Sequence, residues 1–252
     1  MENIYARIRQ RACQIVANLP PPDFYQDHAF AKELSRQSFE THPVTVELRA
    51  FVARHLEEDF GHGLEHAEKV ALDAGTLMII EGELASHSEN FTNRRVIVVQ
   101  CAGLLHDIKR KQKNHAVQGA TYAKEKLEGY PLDPEEIEDI SRAILNHEAF
   151  KNTVAIKTLE GLLVSDCLYD ADKFRWGPDN FTDTLWSMVT FSNIPASKFM
   201  DLYHQGIDKI AKIKNTFRTG TGKKYGPQFI DLGLAAGEEL LQAINTEFAH
   251  LI

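Results

Sequence analysis

The sequence predicts an all-α protein, and three observations carry that expectation. Apolar residues recur at helical spacing in ten segments. Few stretches alternate polar and apolar residues as half-buried strands do. The punctuation is that of helix ends: Asn18-Leu19-Pro20-Pro21-Pro22 closes the first segment, and Asp133-Pro134-Glu135-Glu136 offers an N-cap, a proline at the first helical position and acids in the first turn.

The first predicted helix, Ile4 to Asn18, ends at that proline run. Val44 to Glu58 follows, then Glu65 to Ile80, where His66 shares a stripe with Val70, Ala74 and Leu77. Arg95 to Ile108 ends in VIVVQCAGLLHDI, apolar on nearly every face, the pattern of a helix surrounded by protein. Ala116 to Leu127 is next. In Pro134 to Asn146 the residues Ile137, Ile140 and Ile144 lead to His147. Val154 to Tyr169 continues the series, followed by the short Asp183 to Val189, then Ala196 to Asn215 and Phe229 to Phe248.

These segments read as one domain over residues 1–252, with a compact core at 45–180 that holds most of the histidines. Residues 174–228 are looser, with FRWGPDNF, Trp176, Trp186 and RTGTGKKYG; they read as a substrate cap or as a structural extension burying its aromatics. Residues 229–252 form a C-terminal helix. The GTGK in this stretch lacks the four intervening residues of a phosphate loop and is expected to be an ordinary turn. Neither an internal repeat nor a low-complexity tract is present.

Composition narrows the function. With 43% hydrophobic residues the chain can bury a sizeable core, and a net charge of −8 spread along it argues against a basic face for a nucleic-acid duplex. Cys13, Cys101 and Cys167 are far apart without a CxxC, which argues against a disulfide framework or a Cys-rich zinc site. No signal-peptide core is visible at the N-terminus, and no apolar run reaches the roughly 20 residues of a membrane span. The expectation is a cytoplasmic protein with no membrane partner; a homodimer is left open.

Asp107 stands at the end of the most apolar segment. An ionised carboxylate without water costs several kcal/mol or more unless a cation, donor or metal answers it. His66, His106 and His147 each lie at or near the end of a buried stripe, and a shared metal would account for all of these groups at once. The zincin motif does not apply to His62 and His66, because Gly63 stands where HExxH requires its glutamate. His62, between Gly61 and Gly63, points into a cavity from a turn or caps the following helix.

The order His66, His106-Asp107, then an aspartate near 170 resembles the HD-domain metal-dependent phosphohydrolases, whose pattern is H…HD…D on a helical core. The resemblance spans about residues 45–180. NHAVQGATYA and AILNHEAF look like the segments of members that hold two metals, which would make His115 and His147 ligands. A similar HAxxGAxxA, AIxxH and ADK series occurs in YqeK-type diadenosine tetraphosphate hydrolases. By that likeness Asp172, before Lys173, closes the metal site. Helical spacing instead groups Asp170 with Leu159, Leu163 and Asp166. The usual HDIGK reads HDIKRK here, so no role passes to Lys109.

The resemblance implies one or two divalent ions (Mn, Mg, Fe, Co, Ni or Zn) held by His66, His106, Asp107, Asp172, His115 and His147. It implies hydrolysis of a nucleotide or other small phosphorylated compound, with Asp107 also orienting the water. His62, Lys173 and Arg175 would bind phosphate oxygens, with His62 and Lys173 joining Asp107 in catalysis, and Trp176 would stack on a base. Lys209, Lys212, Lys214, Arg218, Lys223 and Lys224 read as a solvated face. A di-iron oxygenase and a ligand-sensing protein without turnover are the alternatives.

Overall fold

The computed structural model describes residues 4–56, 63–186, 189, 194 and 196–248, with the backbone alone described at 196 and 197. The helices are α1 (Ile4–Ala17), α2 (Asp23–Asp27), α3 (Ala29–Thr41), α4 (Pro43–His55), α5 (Leu64–Leu84), α6 (Glu89–Leu105), α7 (His115–Leu127), α8 (Pro134–Leu145), α9 (Leu159–Phe174), α10 (Ala196–Ile213) and α11 (Gly220–Ala243), with π-helical turns at Asn180–Thr184 and Ile244–Phe248. There is no strand among the described residues, so the all-α expectation holds.

A hairpin of α5 and α6 forms the centre, covered by α3 and α4 on one side and by α8 and α9 on the other. The two helices pack closely because Gly103 meets Ala71 backbone to backbone: a Cβ at Gly103 would lie 2.5 Å from Ala71 Cα. Both helices are buried over most of their surface, as the apolar reading of Val96 to Ile108 requires. Local signals fix the ends. Ser88 accepts from Phe91 N at the start of α6, and Asp133 and Glu136 form a capping box at the start of α8, Glu136 accepting from Asp133 N.

Several boundaries differ from the sequence expectation. α2 and α3 were not anticipated; the buried face of α3 is Ala31, Ser35 and Phe39, too small and polar to give a periodic signal. α9 starts at Leu159, where Thr158 accepts from Gly161 N, and runs on to Phe174. The expected helix from Asp183 to Val189 begins inside the π-helical turn Asn180–Thr184; Leu185, Trp186 and Val189 are helical, and residues 187 and 188 lie outside the described residues. The C-terminal helix begins at Gly220 rather than Phe229, so part of the predicted cap belongs to it, with Pro227 inside it.

The segment that reads as a GTGK turn is thus a helix start, capped by Thr219, which accepts from Gly222 N at 2.8 Å. Its glycine serves close approach: a Cβ at Gly222 would lie 2.0 Å from Asp170 Oδ2. Asp170 accepts from Arg218 N, Thr219 N and Thr219 Oγ1, all at 2.8 Å, and Glu81 accepts from Thr221 N at 2.7 Å. Carboxylates of the chain itself therefore occupy the amides that a phosphate would use.

Gly103→Ala is expected to push α5 and α6 apart and to cost about 1–3 kcal/mol, the usual range for overpacking a filled core. Equilibrium urea denaturation reads this directly, as a lowered midpoint with an unchanged slope.

Candidate metal centre

Five helix ends converge on one place. His66 lies in the first turn of α5, and His106 directly follows the last residue of α6; because the hairpin is antiparallel, the start of one helix meets the end of the other. α7 and α8 repeat the arrangement, with His115 the first residue of α7 and His147 just beyond the end of α8. Asp172 comes from the last turn of α9. Asp107, in the turn after α6, lies between the two histidine pairs.

The two oxygens of Asp107 face different pairs. Oδ2 is 3.4 Å from His106 Nε2 and 4.0 Å from His66 Nε2, while Oδ1 is 3.5 Å from both His115 Nε2 and His147 Nε2. Within the pairs the Nε2 atoms are 3.2 Å apart for His66 and His106, and 3.3 Å apart for His115 and His147. Asp172 Oδ1 adjoins the first pair, at 3.5 Å from His66 Nε2 and 3.8 Å from His106 Nε2. Asp107 is 3% exposed and His106 wholly buried.

Protonation follows from the outer hydrogen bonds. His106 Nδ1 donates to Gly103 O at 2.7 Å and His147 Nδ1 donates to Ile144 O at 2.6 Å; a carbonyl can only accept, so the proton of each neutral ring is on Nδ1 and the Nε2 lone pair faces inward. Arg110 Nη1 donates to His115 Nε2 at 3.0 Å, so that nitrogen too presents a lone pair. Lone pairs of His115 and His147 3.3 Å apart repel unless a cation lies between them. His66, His106 and Asp107 form one group, and Asp107, His115 and His147 a second, whose ligand atoms lie within 4.8 Å of one another. Imidazole nitrogen with carboxylate oxygen is a fitting donor set for a divalent transition metal.

The electrostatics agree. Burial lowers the pKa of His66, with Asp172 opposing. At His106 burial also acts downward, but Asp107 and Asp172 outweigh it and the pKa is raised. Burial pulls His115 down to about 4, assisted by Arg110 and His147 and opposed by Asp107. Asp172 lies well below the usual carboxylate range: burial would raise it, but Lys173, His66 and His106 together prevail.

Other residues singled out from the sequence have definite places. Lys173 is buried with its Nζ on Asp172 Oδ2, near the rings of Tyr169 and Trp176. Arg175 is buried as well, donating to Asp73 Oδ2, to Tyr25 Oη at 2.7 Å and to Asp179 Oδ2. Neither is part of a solvated surface. Trp176 is partly buried against the core, and Trp186 is buried with its indole N–H on Phe181 O. His62 lies outside the described residues. Asp170 faces α11 rather than the histidines, and Asp166 is 3.8 Å from Arg218. Lys109 lies over the Tyr122 ring. Lys209, Lys212, Lys223 and Lys224 are exposed, whereas Arg218 is half-buried, stacked 3.5 Å over Tyr169 and donating to Asn146 O.

Sequence reasoning missed Arg110, three residues after Asp107 and therefore returned to the same side by one turn. It also missed a cleft of about 320 Å³ beside His66, to which Arg9 of α1 and Lys69 of α5 contribute. Arg9 reaches it across more than 170 residues of chain, which no local pattern reveals.

Residues 63–176 match the HD domain family. This segment, similar to the HD domain, contains all the histidines and aspartates of the centre. Metal-dependent hydrolysis is the general chemistry of that domain, and the two groups here can hold divalent metal. Among solved structures, the chain matches a predicted HD superfamily hydrolase from an uncultured Thermotogales bacterium, at 18% identity over 87% of this chain and 92% of that one, with a TM-score of 0.41. No curated protein matches the chain. No described helix is long and apolar enough to cross a membrane.

Arg175→Ala would leave Asp73 buried without its cation. Breaking such a pair costs about 3–5 kcal/mol, and Arg175→Lys should recover only part of this, since one ammonium cannot reach Asp73, Tyr25 and Asp179 together. Thermal and urea unfolding of both variants measure the difference.

Proposed function

We propose that the protein is a metal-dependent phosphohydrolase that cleaves a phosphoester or phosphoanhydride of a small phosphorylated compound, nucleotides included. The observation that carries the reading is Asp107, which offers one oxygen to each of two buried histidine pairs. A carboxylate so placed suits two cations better than one. His66, His106, Asp107 and Asp172 would hold the first, and Asp107, His115 and His147 the second.

Bound divalent ions would lower the pKa of a water from 15.7 toward about 7 and neutralise charge on the phosphoryl oxygens. The water oxygen attacks phosphorus, the bond from phosphorus to the leaving oxygen breaks, and that oxygen takes up a proton, so the products are inorganic phosphate and an alcohol or a shorter phosphate. Asp107 orients the incoming water. Arg110, whose guanidinium already reaches the second histidine pair, donates to a phosphoryl oxygen. Lys173 keeps Asp172 ionised and aimed at His66. Arg175 supports the neighbouring cleft through Asp179. His62 and Trp176 are assigned to the substrate side.

Metal analysis after loading with Mn, Fe, Co, Ni or Zn tests this. Two ions per chain are expected, falling to one in His147→Ala; Asp107→Ala should lose both and with them more than about 100-fold in phosphate release. Asp172→Ala should weaken metal retention, whereas Asp170→Ala should retain metal and lose stability. Oxygen consumption by the iron-loaded protein without phosphate release would instead favour a di-iron oxygenase. Metal retention in both His106→Ala and Asp107→Ala would refute the centre itself.

A further inference from the structure

The cleft beside His66 is built from charge in balance. Its floor is the first turn of α5, so His66 belongs both to the cleft wall and to the metal centre. Lys69, one turn further along α5, holds its Nζ 2.8 Å from Glu65 Oε1 and 3.9 Å from both Asp179 Oδ2 and Asp183 Oδ2. Arg9 closes the far side, donating from Nε to Thr182 O at 2.8 Å and pairing with Asp183 Oδ1 at 3.1 Å. Arg175 supplies the third cation from below, through Asp179.

Three cations thus face three carboxylates. Leu64 is the sole hydrophobic side chain among the described lining residues, and the only ring among them is the His66 imidazole, which belongs to the metal centre. Among the described residues a nucleobase would find only the ring of a metal ligand and two arginines already paired with carboxylates, and a polyphosphate tail would bring its charge up to Glu65, Asp179 and Asp183 without a surplus of described cations to answer it. A polyhydroxylated group meets the opposite situation. Each hydroxyl both donates and accepts, so it can donate to Asp179 or Asp183 and accept from Lys69 or Arg9.

We infer that this cleft receives the leaving group of the substrate and that it selects an uncharged polyhydroxylic one, so that the substrate class is sugar or polyol monophosphates, with Lys69 and Asp183 as specificity-determining residues. The inference rests on the phosphohydrolase reading and narrows it: the phosphoryl group lies at the metals and the sugar lies against α5 and the turn at Asn180–Thr184. Hydrolysis then releases the free sugar or polyol and inorganic phosphate.

The test uses the full chain loaded with Mn and a panel of ribose 5-phosphate, glucose 6-phosphate, phenyl phosphate, AMP, ATP and diadenosine tetraphosphate. The two sugar phosphates should exceed the other four at least tenfold in kcat/KM. Lys69→Gln and Asp183→Asn should raise KM for ribose 5-phosphate at least fivefold and collapse its advantage over phenyl phosphate, a ratio that a general loss of folding would not change. Melting temperature and metal content, measured alongside, should remain those of the unaltered chain. Preference for phenyl phosphate or a nucleotide, or an unchanged ratio in both variants, would overturn the inference. If nothing in the panel is hydrolysed, the phosphohydrolase reading fails separately, and calorimetric binding of ribose 5-phosphate decides the cleft: binding that is lost in Lys69→Gln upholds it, and absence of binding to the unaltered chain overturns it.

Discussion

Asp107 keeps a carboxylate at 3% exposure between four imidazole nitrogens, and the arrangement of helices around it is a means of making that tolerable. Removing an ionised carboxylate from water costs several kcal/mol even after relaxation. Arg110 Nη1, 3.6 Å from Oδ1, answers part of that cost; neutral imidazoles with inward lone pairs do not, since they are themselves acceptors. A cation does, and it would also relieve the repulsion between His115 and His147. The outer hydrogen bonds to Gly103 O and Ile144 O serve the same end by fixing which nitrogen faces inward.

Helix polarity adds to this. The C-terminal ends of α6, α8 and α9 lie beside the centre, and each carries partial negative charge that favours a cation; the N-terminal ends of α5 and α7 are there too, and their partial positive charge favours an anion. One place therefore suits a metal and a phosphate together. α5 and α6 meet closely through the contact at Gly103, with Gly75 and Gly82 of α5 likewise against Gln100 and Thr92 of α6, so the fit of two helices and the chemistry of the histidines depend on one another.

The sequence displayed this centre better than its surroundings. His66, His106, Asp107 and His147 could be singled out because each interrupts or ends an apolar stripe, and polar residues in such places need a reason; His115 stands out only through the likeness of NHAVQGATYA to the two-metal members of the family. Choosing between Asp170 and Asp172 was harder for a physical cause. Two residues apart on a helix they face roughly opposite ways, but α9 is buried on all sides from Cys167 to Phe174, so no exposed face marks which way is out. Packing decides: Asp170 faces the start of α11 and Asp172 faces His66. α3 escaped notice because its buried face is small, and the start of α11 because glycines that serve close packing look the same in sequence as glycines that make turns. Position 62 stays an expectation from sequence alone.

Lys173 and Arg175 show how residue type can mislead about task. Cations after a metal-site aspartate read naturally as phosphate ligands, and in a surface loop they would be. Here they lie at the end of a helix buried on all sides from Cys167 onward, where every charge must be answered within the protein. Lys173 is matched to Asp172 at the centre, and Arg175 to Asp73 and Asp179 beside it, so that both are committed to partners within the protein. The cations left at the rim, Arg9 and Lys69, are those whose partners are solvent-accessible carboxylates on the cleft wall. Such pairs contribute little to stability, about 1 kcal/mol or less, and a ligand can exchange with them at correspondingly little cost. Burial thus sorts these basic residues into those committed to partners inside the protein and those left at the rim of the cleft.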